Sequence, residues 1–156
     1  IIYYKSKVIK KVLIINGPNL NLLGEREQSQ YGAKTLDQIK KDCLNSSKDL
    51  DIELEFIQSN VEGEMVNHLQ DARKTKDGVI INAAGFTHTS VSIRDAINIL
   101  KIPIIEVHIS NIYNREEFRQ KSLLSDVVTG GIFGLGSECY ILALNAINKL
   151  FKNGNW

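Results

Sequence analysis

The feature that most constrains the fold of this chain is a set of short apolar runs, rich in β-branched residues and separated by helical periods. Three of these runs are continuous or nearly so, at residues 12–15, 78–82 and 102–109. A strand without polar alternation is covered on both faces, as strands inside a parallel sheet are. The chain is therefore predicted to contain a parallel sheet with helices on both faces.

Two further segments indicate less protected strands. At residues 52–56 the apolar side chains alternate with glutamates, so this strand has one solvated face and is placed at an edge of the sheet. A weaker fifth strand is predicted at 126–131, where two valines and a threonine follow one another. The sheet is thus expected to have five strands.

Helical periods lie between the predicted strands. One helix is expected to follow a capping box formed by Thr35 and Gln38. Further helices are predicted around residues 65–72, 93–100 and 137–151, where apolar residues recur at helical spacing. This alternation indicates a doubly wound α/β sandwich with right-handed crossovers, and an edge-type second strand favours the flavodoxin-like order 2-1-3-4-5.

The length of 156 residues is that of one ordinary domain, and 43% of the residues are hydrophobic. We predict a basic N-terminal extension at 1–10, a single α/β domain at 11–151 and a C-terminal tail at 152–156. The net charge of +1 argues against nucleic acid or an anionic membrane as partner. Four lysines precede the first acidic residue, so the rest of the chain carries more acidic than basic groups.

Cysteine content and hydropathy exclude several other classes of protein. The two cysteines, Cys43 and Cys139, are too few for a disulfide framework or a four-ligand zinc site. No apolar run approaches the roughly 18–20 residues that span a bilayer. A cytoplasmic location is therefore expected.

Polar segments follow three of the predicted strands. They read GPNLNLLGERE after the first strand, NAAGFTHTS after the third and EVHISN at the end of the fourth. In open parallel sheets, ligands bind in the crevice at the carboxyl ends of the strands. The segment 16–34 is also longer than most loops, and such loops are commonly lids or binding loops.

In the fourth strand, the period of two places Glu106 and His108 on one face. A buried carboxylate must be paired, and a carboxylate beside an imidazole keeps that ring available as a proton donor. The pair serves either catalysis or the structure of the core alone, and position does not decide between them.

Three other polar residues also allow two interpretations. Tyr31 is either an exposed loop tyrosine or a base whose phenolate is stabilised by Arg26, Arg115 or Arg119. His88 either binds a ligand or helps to cap the following helix, and Asp95 is either functional or a solvated charge.

These segments, together with Tyr31-Gly32, QSNVEGE, and GIFGLGSECYILAL, resemble the successive motifs of type II 3-dehydroquinate dehydratase. The likeness runs in order from about residue 11 to residue 150, and six ordered motifs are far more specific than any one of them.

The resemblance implies a flavodoxin-like subunit that removes water from 3-dehydroquinate through an enolate, without a metal or an organic cofactor. It assigns proton abstraction to Tyr31, stabilisation of that base to Arg26 and proton donation to His108. It assigns substrate binding to Asn82, His88, Asp95, Ile109, Ser110 and Arg119. It also implies a dodecamer of four trimers, in which Asp95 reaches the site of a neighbouring subunit.

Other functions fit the sequence less well. A Schiff-base dehydratase needs a desolvated lysine, and the covered strands contain none in their interior. A phosphoacceptor module would carry aspartate where Asn16 and Asn82 stand, and a flavin or dinucleotide site would need a phosphate loop after the first strand. The remaining alternative is a catalytically silent binding or scaffold module of flavodoxin-like fold.

Overall fold

Five parallel strands form the centre of the part of the chain described by a computed structural model, residues 8–156. They are β1 (Lys10–Asn16), β2 (Ile52–Gln58), β3 (Gly78–Asn82), β4 (Ile104–His108) and β5 (Gly130–Phe133). Their order in the sheet is β2-β1-β3-β4-β5, which confirms the predicted flavodoxin-like topology. The helices are α1 (Gln28–Tyr31), α2 (Leu36–Asp49), α3 (Glu62–Thr75), α4 (Val91–Asn98) and α5 (Glu138–Asn153).

Successive strand residues point into two separate apolar layers. In β1, Val12 and Ile14 pack with α2 and α5, whereas Leu13 and Ile15 pack with α3 and α4 on the opposite face. All four side chains are at most 2% exposed. The continuous apolar runs are therefore explained by helices on both faces of the sheet.

Two local predictions are confirmed. Thr35 Oγ1 accepts a hydrogen bond from the Gln38 amide at 3.2 Å, and Gln38 Oε1 accepts one from the Thr35 amide at 2.9 Å. A cap of this kind stabilises a helix by about 1 kcal/mol. β2 lies at an edge of the sheet, with Glu53 and Glu55 less buried than Ile52.

The predicted position of the fifth strand, 126–131, is wrong. The amides of Val127 and Val128 donate to the carbonyl of Leu124 in a turn, and pairing with β4 begins only at Thr129. The strand itself spans Gly130–Phe133. The two valines pack against the core layer of α3 and α4, so burial within a turn outweighs their preference for strands.

The chain termini and the long loop complete the description. The first strand starts at Lys10 and the last helix runs to Asn153, close to the predicted domain limits; residues 1–7 of the predicted extension lie outside the described residues. The segment 16–34 contains a short 3-10 turn at Leu20–Leu22 and the single turn α1. None of the helices in residues 8–156 is long and apolar enough to cross a membrane.

Candidate active site

A cavity lies at the carboxyl ends of β1, β3 and β4, where the sheet rule places it. Eight of the nine residues that sequence analysis selected line it; they are Arg26, Tyr31, Asn82, His88, His108, Ile109, Ser110 and Arg119. The ninth, Asp95, is exposed on α4 and does not line the cavity. The polar segments after the three strands thus converge at one place.

The floor of the cavity depends on a close approach between two strand ends. The Gly17 amide donates to the Asn82 carbonyl at 2.7 Å, which ties the segment after β1 to the end of β3. A Cβ atom at Gly17 would collide with the backbone of Ala83. Glycine is therefore required at this position of the GPN segment.

Glu106 and His108 form the pair that the period of β4 predicts. His108 Nε2 lies 2.7 Å from Glu106 Oε1, and both residues are buried. Ser122 Oγ also donates to Glu106 Oε1 at 2.7 Å. Because a carboxylate oxygen only accepts hydrogen bonds, His108 Nε2 donates, and Nδ1 is the ring nitrogen left to exchange a proton with a ligand.

Tyr31 meets cations on two sides. Arg115 Nη1 donates to the Tyr31 hydroxyl at 2.9 Å and to Ser110 Oγ at 3.3 Å. The Arg26 guanidinium lies over the Tyr31 ring, 5.1 Å from its centroid. Burial opposes the charge of Arg115, but the hydrogen bond and the charge of Tyr31 outweigh it and hold the pKa of Arg115 above its ordinary value.

The segment 24–31 carries Arg26 and Tyr31 over the cavity on a tightly turned backbone. Gly24 has φ of 87° and Glu27 has φ of 33°, so both lie on the left-handed side of backbone space. Leu23 is 2% exposed and anchors the start of the segment in the core of α2 and α5. Tyr31 and Arg26 themselves are only half-buried.

His88 and Arg119 also line the cavity, and the ring of His88 lies 6.5 Å from that of His108. His88 Nδ1 lies 2.8 Å from the carbonyl of Lys121, which can only accept, so Nδ1 donates and Nε2 is left as an acceptor. Burial lowers the pKa of His88 below its ordinary value, which keeps the ring neutral at pH 7. Arg119 Nε lies 3.1 Å from a Glu116 carboxylate oxygen. This contact is an ion pair without hydrogen-bond geometry, so Arg119 Nε has no hydrogen-bond partner among the described residues.

The structure adds residues that the sequence analysis did not select as site residues. The sequence offers Arg115 as one of three cations that could stabilise the Tyr31 phenolate, and it is the one that contacts the phenol oxygen. Nothing in the sequence singles out Ser122, and the helical period of the predicted helix at 137–151 places Tyr140 only among its apolar residues. The phenol of Tyr140 accepts a hydrogen bond from Asn82 Nδ2 at 2.9 Å. No sequence spacing signals these contacts, because each joins segments far apart in the chain.

The cysteines do not take part in the cavity. Both thiols are free and buried, and burial raises the pKa of Cys43 to about 12, so neither is placed as a nucleophile. Within residues 8–156, no group of three or more histidine, cysteine or carboxylate side chains is arranged to hold a metal ion.

Comparison with known proteins gives one consistent family. The model of the class II dehydroquinase family matches residues 10–148. The 3-dehydroquinate dehydratase of Halothermothrix orenii is 45% identical over 148 residues, covering 95% of this chain and 100% of the relative. That of Prochlorococcus marinus is 53% identical over 142 residues, covering 91% of this chain and 97% of the relative.

A solved structure agrees with the sequence comparisons. The crystal structure of the type II dehydroquinase from Butyrivibrio crossotus superimposes with a TM-score of 0.87 at 42% identity, covering 89% of this chain and 97% of the other. The chain therefore belongs to the class II dehydroquinase family.

Proposed function

We propose that this chain is a 3-dehydroquinate dehydratase, which converts 3-dehydroquinate to 3-dehydroshikimate and water in the shikimate pathway. The observation that carries the proposal is the pairing, across one cavity, of a tyrosine held by arginine with a histidine held by glutamate. The relatives named above are 3-dehydroquinate dehydratases and align with almost the whole chain.

The first chemical step is removal of a proton from C2 of the substrate, beside the C3 ketone. We assign it to the phenolate of Tyr31, because an ordinary tyrosine is protonated at neutral pH and needs nearby cations to act as a base. Arg115 contacts the phenol oxygen, and Arg26 lies over the ring. The electron pair of the C2–H bond moves to the ketone oxygen and forms an enolate. Asn82 offers a donor, directly or through water, to that oxygen.

The second step expels the C1 hydroxyl. The enolate reforms the ketone, the C1–O bond breaks, and the imidazolium of His108 gives its Nδ1 proton to the departing oxygen, so that water leaves. The Glu106 carboxylate, 2.7 Å from Nε2, stabilises the charged ring and fixes its direction. Closing of the 24–31 segment would keep bulk water from the enolate.

The other site residues are assigned to substrate binding. The backbone amides of Ile109 and Ser110 and the Ser110 hydroxyl suit the substrate carboxylate. Arg119 and the acceptor nitrogen of His88 suit the ring hydroxyls. These assignments rest on the position of the four residues around the cavity.

No organic cofactor or metal is needed for this elimination, since the base, the acid and the enolate donor are all side chains. A Schiff-base route would require a desolvated lysine, and no lysine is among the buried residues in the described part of the chain. Borohydride treatment in the presence of 3-dehydroquinate should therefore give no adduct. A lysine adduct, detected by mass spectrometry, would restore the Schiff-base route.

The assembly is proposed to be a dodecamer of four trimers, in which Asp95 enters the site of a neighbouring subunit. Its support is that Asp95 is exposed and lies outside the cavity of its own subunit. The segment before β1 and the tail after α5 are proposed to lie outside the catalytic domain, whose limits are one residue earlier and two residues later than the predicted 11–151 because β1 begins at Lys10 and α5 ends at Asn153. We place the enzyme in the cytoplasm.

The assay that tests the function follows the absorbance of the conjugated ketone formed from 3-dehydroquinate. Purified protein should produce it without added cofactor and in the presence of a chelator. The competing candidate is a catalytically silent scaffold of the same fold. Folded protein of native mass that gives no turnover would favour that scaffold and contradict the proposal.

A further inference from the structure

Tyr140 is a fully buried phenol in the first turns of α5, with 0% exposure. Its hydroxyl reaches the carboxyl ends of β1 and β3, where Asn16 and Asn82 are register partners. Tyr140 does not line the cavity, whereas Asn82 does. A polar group in an apolar layer is costly unless it is hydrogen-bonded. The Tyr140 hydroxyl avoids this cost by bonding to the side chains of Asn16 and Asn82.

Asn16, Tyr140 and Asn82 form a hydrogen-bond network that ends at a backbone carbonyl on one side and at a backbone amide on the other. These two ends fix the direction of every hydrogen bond in the network. Asn16 Nδ2 donates to the backbone carbonyl of Ile57 at 3.0 Å, and this leaves Asn16 Oδ1 facing Tyr140. The Tyr140 hydroxyl therefore donates to Asn16 Oδ1, at 2.6 Å, and accepts from Asn82 Nδ2 at 2.9 Å. At the other end, the backbone amide of Ala84 donates to Asn82 Oδ1 at 3.2 Å. A backbone carbonyl cannot donate and a backbone amide cannot accept, so each hydrogen bond in this series has only one possible direction of donation.

These directions leave Asn82 with one unused Nδ2 hydrogen. Its oxygen is used by Ala84 and one of its two Nδ2 hydrogens by Tyr140. The second hydrogen has no partner in the part of the chain that the structure describes. Because Asn82 lines the cavity, this hydrogen is the donor available to a bound ligand.

We propose that Tyr140 is a positioning residue that fixes the amide of Asn82 in the orientation that presents an N–H, and not the carbonyl oxygen, to the enolate oxygen of the substrate. The inference rests on the proposed function, in which Asn82 supports that oxygen. A flipped amide would present a partial negative charge to a developing anion, which would oppose the reaction.

The same network has a second consequence, for pH dependence. Burial raises the pKa of Tyr140 above its ordinary value, so the phenol stays protonated at neutral pH and below. Among the residues that the structure describes, no carboxylate or cationic side chain hydrogen-bonds to the side chains of Tyr140, Asn16 or Asn82. The titratable groups that act on the phenol are the buried thiols of Cys43 and Cys139, and both raise its pKa further. The orientation of Asn82 is therefore independent of pH, and loss of the Tyr140 hydroxyl should lower kcat by the same factor across the pH range.

The test is a double-mutant cycle of Tyr140→Phe and Asn82→Ala. Removing one donor to an oxyanion costs about 10²–10³ in kcat, and loosening its orientation costs a part of that. Tyr140→Phe is expected to lower kcat about 10- to 30-fold with KM changed less than about threefold. In the Asn82→Ala background, where no amide is left to orient, the same change should lower kcat less than about twofold.

Ile147→Val is the matched control. Ile147 is fully buried on the same helix and its side chain makes no hydrogen bond, so its shortening should lower the melting temperature but leave kcat unchanged. If Tyr140 serves only core packing, Tyr140→Phe will behave like Ile147→Val, or will lower kcat equally in both Asn82 backgrounds. Either result overturns the inference.

If Tyr140→Phe does not fold, Asn16→Ala carries the same test, because it frees the Tyr140 hydroxyl from its acceptor while both ring and amide remain. A kcat loss that disappears in the Asn82→Ala background supports the inference, and an equal loss in both backgrounds contradicts it. Failure of the wild-type protein to dehydrate 3-dehydroquinate would instead contradict the proposed function, so the two failures are distinguishable.

Discussion

Two regions of the cavity are built in different ways. The strand-end wall, made of Asn82, Glu106 and His108, is buried, and each of its polar side chains has a partner inside the sheet or on a packed helix. The lid, residues 24–31, is half-buried to exposed and carries Tyr31 and Arg26 on a backbone with two left-handed positions. The proposed acid therefore belongs to the wall and the proposed base to the lid.

The difference separates stability from catalysis. A change in the wall leaves a buried group without its partner, so it should affect both folding and rate. A change at the tip of the lid leaves the core intact, so it should affect the rate alone. The lid also depends on residues outside itself, because Arg115, which contacts the Tyr31 oxygen, belongs to the segment after β4.

The largest effect is expected for Tyr31→Phe. This change removes the proposed base while keeping the ring between Arg26 and Arg115, so kcat should fall by about 10³ or more. The free energy of unfolding should change by less than about 0.5 kcal/mol, as for other residues outside the core. Steady-state assays and denaturant unfolding of the same preparation measure both quantities.

Tyr113→Phe is the matched control for that variant. Tyr113 is 58% exposed, does not line the cavity and packs on Phe133, the last residue of β5. It should retain wild-type kcat. A Tyr31→Phe enzyme with near-normal kcat would mean that another group is the base.

A smaller loss of activity is expected for Glu106→Gln. The neutral amide no longer stabilises the His108 imidazolium, so kcat should fall about 10²-fold. Unlike the lid variant, it should also lower the free energy of unfolding by about 1–3 kcal/mol, because Ser122 and His108 lose a charged acceptor in the core. Glu53→Gln, on the solvated side of the edge strand β2, is the control and should change neither quantity.

How much of the fold and of the site the sequence could predict depends on whether a feature follows from the strand pattern or from contacts between distant segments. The strand order and the pairing of Glu106 with His108 were predicted correctly, because both follow from the period of two and from the burial of parallel strands. Convergence of the motif residues on the cavity follows from the position of strand ends. The pairing of Glu106 with His108 is a local property of one strand, and the other two features follow from general rules for parallel α/β sheets.

What the sequence did not predict depends on tertiary packing. The Tyr140 hydroxyl finds its partners 58 and 124 residues away, and helical periodicity shows only that the ring is in the core. The fifth strand was placed too early because Val127 and Val128 favour strands by type, although here they close a turn over the second core layer. The roles of the site residues stay predictions until they are measured.

The smallest effect concerns His88, whose ring lies 6.5 Å from the ring of His108 in the wall. Burial lowers its pKa, so below about pH 6.5 the unfolded chain takes up a proton that the native protein resists. The stability that neutral His88 contributes is present above pH 6.5 and is lost as the pH falls through the lowered pKa.

His88→Asn removes this titration. The difference in free energy of unfolding between wild type and variant should therefore shift against the wild type as the pH falls from 7.5 to 5, by less than about 1 kcal/mol because the ring is half-exposed. Urea unfolding at fixed protein concentration measures the shift. A difference that is constant with pH would show that burial does not perturb His88.

The claim that the lid supplies the base and the wall supplies the acid is tested most directly by exchange of the substrate C2 hydrogen in D2O. With His108→Ala, the base is intact and the acid is absent, so 3-dehydroquinate should incorporate deuterium at C2 while little product forms. With Tyr31→Phe, both exchange and dehydration should be lost. Exchange that persists in Tyr31→Phe, or that disappears in a folded His108→Ala enzyme, would contradict the assignment of base to the lid and acid to the wall.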